Sequence, residues 1–337
     1  MLLRKLSGIA YFWGTTLALV GLQLATPVVG QAKPDDEKLK QRVEALEQQV
    51  EALTTALAAV QANPALALGP FVKVEPGAMD NLAGPHVMFV GANVHVRSGG
   101  GATDDGGALT GLGNLVVGYN VDDAGNDVRT GSHNLVVGDE HDYTSYGGFV
   151  AGLGNFILAP QTSILGGVLN EASTSLSTVG GGQQNSASGQ VSTVSGGWLN
   201  QAPGDLGVVA GGQQNIASGF NSALSGGVSN EASGSFASVC GGAQNVASGD
   251  KAAVAGGFLN EAAGEWAASS GGWRNQATGD FSVVAGGFEN TASGQSSVVT
   301  GGNLNEAAGE SSVVSGGRLR NAADFYDWVG GGLFEDF

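Results

Sequence analysis

The chain has 337 residues, of which 59 are glycine and 13 % are charged, and its formal net charge is −17. Glycine at more than twice its usual share excludes a helical fold for most of the chain, since each one costs a helix ~1 kcal/mol. Eight prolines without a Gly-X-Y period exclude collagen, 42 % hydrophobic content argues against disorder, and one cysteine, Cys240, excludes an internal disulfide framework.

The first 32 residues read as an address. Arg4 and Lys5 open it, an apolar run covers 9–24, and Gly30-Gln31-Ala32 places small residues where a signal peptidase cuts. Residues 1–32 are therefore expected to be a signal peptide cleaved after Ala32. The alternative is an uncleaved N-terminal membrane anchor. Both place the remainder outside the cytoplasm.

Residues 36–62 carry a heptad seam. Leu39, Val43, Leu46, Val50, Leu53, Leu57 and Val60 alternate spacings of four and three, and Pro64 ends the run. Asp35, Asp36 and Glu37 favour the start of a helix. The seam predicts a coiled coil with other copies of the chain. It does not fix their number.

Residues 64–155 read as an irregular β region with loop insertions. Short strands are expected at 87–90, 93–96, 115–117 and 135–137. A Gly-containing motif ends at Asn114, Asn134 and Asn155, which predicts the following solenoid with longer loops. All four histidines (His86, His95, His133, His141) fall here, beside acidic loops at 121–127 and 139–142. Their spacing matches no known ligand pattern, so no metal, cofactor or catalytic residue is assigned.

Residues 156–332 hold the most specific signal, followed by a short tail at 333–337. From Gly166 a Gly-Gly pair returns every fifteen residues, with the consensus GGxxNxASGxx(S/A)xVx. Asparagine recurs in step at Asn170, Asn185, Asn200, Asn215, Asn230, Asn245, Asn260, Asn275, Asn290 and Asn305. Fifteen residues are too few for helical repeats and suit one coil of a parallel β-solenoid with glycine corners. The asparagines would stack as an amide ladder, each rung ~4.8 Å from the next. Recurring Ala and Val columns supply the core. Replacing a rung asparagine is expected to cost less than replacing the second glycine of a pair, because neighbouring rungs would find water. Cys240, just before a Gly-Gly pair, is read as a small buried residue.

This core is thin, so packing against other chains is expected to bury the remaining faces. Phe258, Trp273 and Phe288 fall two residues after the first glycine in three consecutive coils, and Trp266 and Phe281 follow acidic corner residues. These rings fill the interface between chains, as aromatics commonly do, or form an exposed binding strip beside Glu265 and Asp280. The interface is the favoured reading.

The repeat, for instance GGAQNVASGDKAAVA at 241–255, resembles the YadA-like heads of trimeric autotransporter adhesins. The resemblance covers about 156–332, and the heptad segment adds to it. It implies a left-handed parallel β-roll of three packed chains and an adhesin-like protein of the bacterial outer envelope, secreted or at the cell surface. That family carries a C-terminal β-barrel anchor and puts heads before stalks. Here no barrel segment is read before Phe337 and the heptads come first, so the autotransporter mechanism is not carried over. The expected partners are the chain itself, as a homotrimer, and a host-cell, matrix or carbohydrate surface; the acidity speaks against nucleic acid. The competing readings are a β-helix polysaccharide-active enzyme and a purely architectural envelope protein. Against the enzyme, Lys251 and Arg274 are the only basic residues between 166 and 317, and the acids recur with the repeat.

Overall fold

The structure, a computed structural model, describes residues 34–122 and 125–330. The expected signal peptide, the pair Gly331-Gly332 and the tail 333–337 lie outside the described residues. The chain divides into one unit up to Val94 and another from His95.

In the first unit, helix α1 (Pro34–Gln61) carries Asp35, Asp36 and Glu37 in its first turn, against the helix dipole. All seven seam residues are 44–69 % exposed. Asn63 then accepts the Ala65 N–H at 2.9 Å and caps a 3-10 turn, Pro64–Leu68. Strands β1 (Val72–Glu75) and β2 (His86–Phe89) pair antiparallel, so this stretch is not part of the solenoid. Residues 93–96 form no strand.

The second unit is a parallel β-solenoid of about thirteen coils. Each coil contributes one strand to each of two sheets, of fifteen and thirteen strands. The first, the valine sheet, pairs Val179 with Val194 and so on down the array; the second, the alanine sheet, pairs Ala187 with Ala202. A third column of single bridges runs from Val168↔Gln183 to Asn303↔Arg318. The Val and Ala columns point inward and are essentially fully buried, with Leu224 and Ser269 filling the two irregular valine positions. Two further columns complete the interior: the asparagines, at 0–1 % exposure, and a small-residue column that includes Ser192, Ala237 and Ser282. The Oγ atoms of Ser192 and Ser282 have no hydrogen-bond partner among the described residues, so this column selects for size rather than for a hydroxyl.

Glycine is required for two reasons. Gly242, second of its pair, has φ +83°, and a Cβ there would lie 2.1 Å from the Gly257 carbonyl oxygen. Gly249, at the opposite corner, has no unusual φ, but a Cβ would lie 2.0 Å from the Gly264 carbonyl oxygen. Both corners bring successive backbones too close for a side chain.

Two other positions of each coil are left-handed without being glycine, as at Leu259 (φ 58°) and Trp266 (φ 58°). This conformation costs an L-residue roughly 1–2 kcal/mol. It turns the amide round. Strand residues donate to the following coil, as Ala253 N–H does to the Ala267 carbonyl, whereas Leu259 and Trp266 donate back to Ala243 and Asp250. The strained corners thus bond each coil to the one before it.

The ladder begins earlier than the repeat suggests, and in a different register. Asn155 accepts the Asn170 N–H at 2.8 Å and is a true rung. Asn114 and Asn134 are not. Leu135 and Val136 pair with Phe149 and Val150, which places Asn134 in the small-residue column, where its Oδ1 accepts from Gly148 N. The rungs of those first coils are Asn120 and His141: Asn120 Oδ1 accepts the His141 N–H, and His141 Nδ1 accepts the Asn155 N–H, both at 3.2 Å.

A loop containing Asp105 is pinned onto the first coil. Its carboxylate accepts from Ser132 Oγ at 2.6 Å, from Ser98 Oγ, and from Thr110 N and Oγ1 at 2.9 and 2.8 Å. Donation by Ser132 and Ser98 holds this carboxyl well below the usual carboxylate range. His133 adds to the clamp: its Nε2 accepts from Ser98 N, and its Nδ1 donates to the Thr103 carbonyl.

Gly242→Val is expected to lower the melting temperature of the array strongly, by a strain of ~1–3 kcal/mol plus the clash with Gly257. Asn245→Ala is not the milder change expected from water access. Asn245 is fully buried, its Nδ2 donates to Asn230 Oδ1, Gly241 O and Gly257 O, and its Oδ1 accepts the Asn260 N–H. Removing it orphans a buried amide at ~1–3 kcal/mol. Thermal denaturation followed by circular dichroism measures both.

Candidate functional site

In the regular coils from Gly166 onward, charged and aromatic side chains appear on the two corners and the outer faces. The corner between the valine and alanine sheets carries Phe258, Trp273 and Phe288 on successive bridged positions. The Trp273 and Phe288 rings are 4.2 Å apart, centroid to centroid, at 47°. Arg274, one of the left-handed residues, lays its guanidinium 4.7 Å from the Trp273 ring centre and reaches Glu289 at 3.3 Å. Beside them, Gln276 Nε2 donates to Glu261 Oε2 at 3.1 Å, and these polar groups line a shallow open depression with Gln244 and Leu259.

The opposite corner, between the alanine and valine sheets, carries Trp266 and Phe281, both 51 % exposed. Lys251 Nζ lies 4.5 Å over the Trp266 ring and 3.5 Å from Glu265. The five aromatic residues therefore do not form one strip. Three share one edge of the solenoid and two share the other. Lys251 and Arg274, the only basic residues between 166 and 317, each sit over a tryptophan and against a glutamate.

The acidic corner residues have a structural task. Asp205 accepts the Gln190 N–H, Asp250 that of Ser235 and Asp280 that of Glu265, each one coil back, at 2.8–3.2 Å. The ten asparagines Asn170 to Asn305 are likewise occupied with the backbone, and the repeat-to-repeat amide contact is 3.1 Å where Asn245 meets Asn230. Cys240 is exposed rather than buried. It follows the inward Val239, so alternation along the strand turns it outward.

Among the described residues, no three His, Cys, Asp or Glu side chains come together as a metal site. Nor is any helix among them long and apolar enough to cross a membrane. His141 illustrates what sequence reading missed: it is a rung, fully buried. Its Nε2 donates to the Val137 carbonyl at 3.1 Å, which fixes the tautomer and leaves Nδ1 as an acceptor. The only signal was its offset of fourteen residues from Asn155. No protein-family profile matches the chain, and no curated protein is significantly similar to it.

Burial lowers the pKa of His141, opposed by the nearby Asp139 and reinforced by Arg129. The neutral form is then favoured on folding, so its contribution is intact above the ordinary value of 6.5 and is lost as pH falls below it. The melting temperature should drop below pH 6.5. His141→Asn, which keeps the acceptor, should flatten the curve there and leave only the carboxylate-dependent loss at lower pH, where Asp105 is protonated.

Proposed function

We propose that this chain is a non-catalytic, adhesin-like structural and binding protein, exported to the cell surface or secreted, and assembled as a homotrimer. The observation that carries the reading is the exposed heptad seam of α1: seven large apolar residues in coiled-coil spacing, none of them covered by the described residues. Copies of the same helix fit that seam. The solenoid supplies a rigid rod with two aromatic edges. In this reading the winding is left-handed, as in the family the repeat resembles.

A β-helix enzyme is the second reading, since a parallel solenoid serves either role. Against it, Lys251 and Arg274 are each held by a glutamate and a tryptophan, and Asp205, Asp250 and Asp280 hold backbone amides. The candidate ligand is a carbohydrate or matrix protein presented to the Trp273–Phe288 edge.

Light scattering of the purified chain should give three times the monomer mass; a monomer would overturn the reading, and a dimer would keep self-assembly but remove the likeness to trimeric heads. Trp273→Ala removes a ring pair worth ~0.5–1.5 kcal/mol. It should leave the assembly intact and reduce attachment to matrix-coated or glycan-coated surfaces. Loss of assembly would return these rings to the interface between chains.

A further inference from the structure

The two outer faces of the solenoid differ in charge. Between Ser163 and Ser315 the outward positions of the valine sheet hold Ser, Thr, Ala, Val, Gly, Leu165 and Cys240, and none is charged. The outward positions of the alanine sheet carry Glu171, Glu231, Glu261 and Glu306, and the remaining acids of that stretch sit at the corners. Bulky side chains mark only the ends of the neutral face: Leu165, 59 % exposed, and Trp328, 68 % exposed. Between them the largest outward residue is valine, and every coil repeats the same low relief.

We infer that this neutral face of the valine sheet is the surface through which copies of this chain pack against one another; the inference rests on the self-assembly proposed above. A second copy is the occupant because the chain is strongly acidic, so like charges oppose approach through either corner or the alanine sheet. Only the neutral face lets two copies meet without burying a carboxylate. The repeat gives every copy the same step every ~4.8 Å, so neutral faces gathered about one axis stay in register along their whole length. Eleven coils make a face about 50 Å long and ~10 Å wide, on the order of 500 Å². That is short of the ~800 Å² per partner of a stable interface, so the face requires the tether that the α1 seam provides. The aromatic edges lie outside the contact and stay available to a ligand.

Cys240 reports on this directly, because it lies on the neutral face and is exposed in the single chain. Maleimide labelling of the assembled wild-type protein should be about tenfold or more slower than labelling of a Cys240→Ser, Ser248→Cys protein, whose thiol is on the alanine sheet, since the buried thiol is reached only by opening. Ala253→Glu or Ala268→Glu, placed on the neutral face, should restore fast Cys240 labelling, whereas Ser248→Glu should not. Fast labelling of Cys240 in an oligomer overturns this assignment and leaves the self-assembly standing. Slow labelling that survives both neutral-face glutamates, with the β spectrum intact, also overturns it. A monomeric mass overturns both inferences. If neither glutamate variant folds, the comparison of wild type with Ser248→Cys decides alone.

Discussion

Each ladder asparagine from Asn170 to Asn290 sits between two copies of itself, and the rest of the solenoid is arranged to keep it there. Asn245 bonds to the rung before it, to the amide of the rung after it, and to carbonyls of its own and the next coil. Such a set closes only if successive rungs lie one strand spacing apart, which coils of one length maintain without loops. That spacing brings the backbones at Gly242 and Gly249 against the next coil, which leaves no room for a Cβ. It also keeps the interior of the regular coils to Ala, Val and small polar residues, with Leu224 the largest exception. The thin core is a consequence of the ladder.

The corners absorb the strain. Leu259 and Trp266 adopt left-handed backbones so that their amides reach the preceding coil. Their side chains are then held outside the array. This explains why these columns vary freely between Leu, Gln, Arg, Trp and Phe while the interior columns do not. The variable chemistry of the protein lies where the backbone is least relaxed.

The interior was readable because Val179, Ala187 and Asn185 each recur ten or so times at one spacing. The register of the first coils was not. Asn114 and Asn134 share the local motif of Asn155, yet Val136 pairs with Val150 and shifts them into another column. The rung after the strand Leu115–Val117 is Asn120, and a histidine takes the next place. The left-handed columns were hidden because glycine was the only expected marker of positive φ. Cys240 occupies a column of small residues that suggests interior, yet the inward Val239 before it turns it out to the surface. The aromatic columns were visible as columns, but their assignment to two separate edges needed the order of the two sheets.

The in-register pairing of Thr178 with Thr193 and of Val298 with Val313 has an arithmetic consequence. Loss or gain of a few residues keeps the ladder only where a loop or bend absorbs it, as between Asn120, His141 and Asn155, whereas loss or gain of fifteen leaves every rung in place unaided. Whole fifteen-residue steps therefore change this rod without disturbing its ladder, each adding or removing ~4.8 Å. Reach becomes a quantity that unequal recombination between near-identical repeats can adjust, independently of what either end of the rod carries.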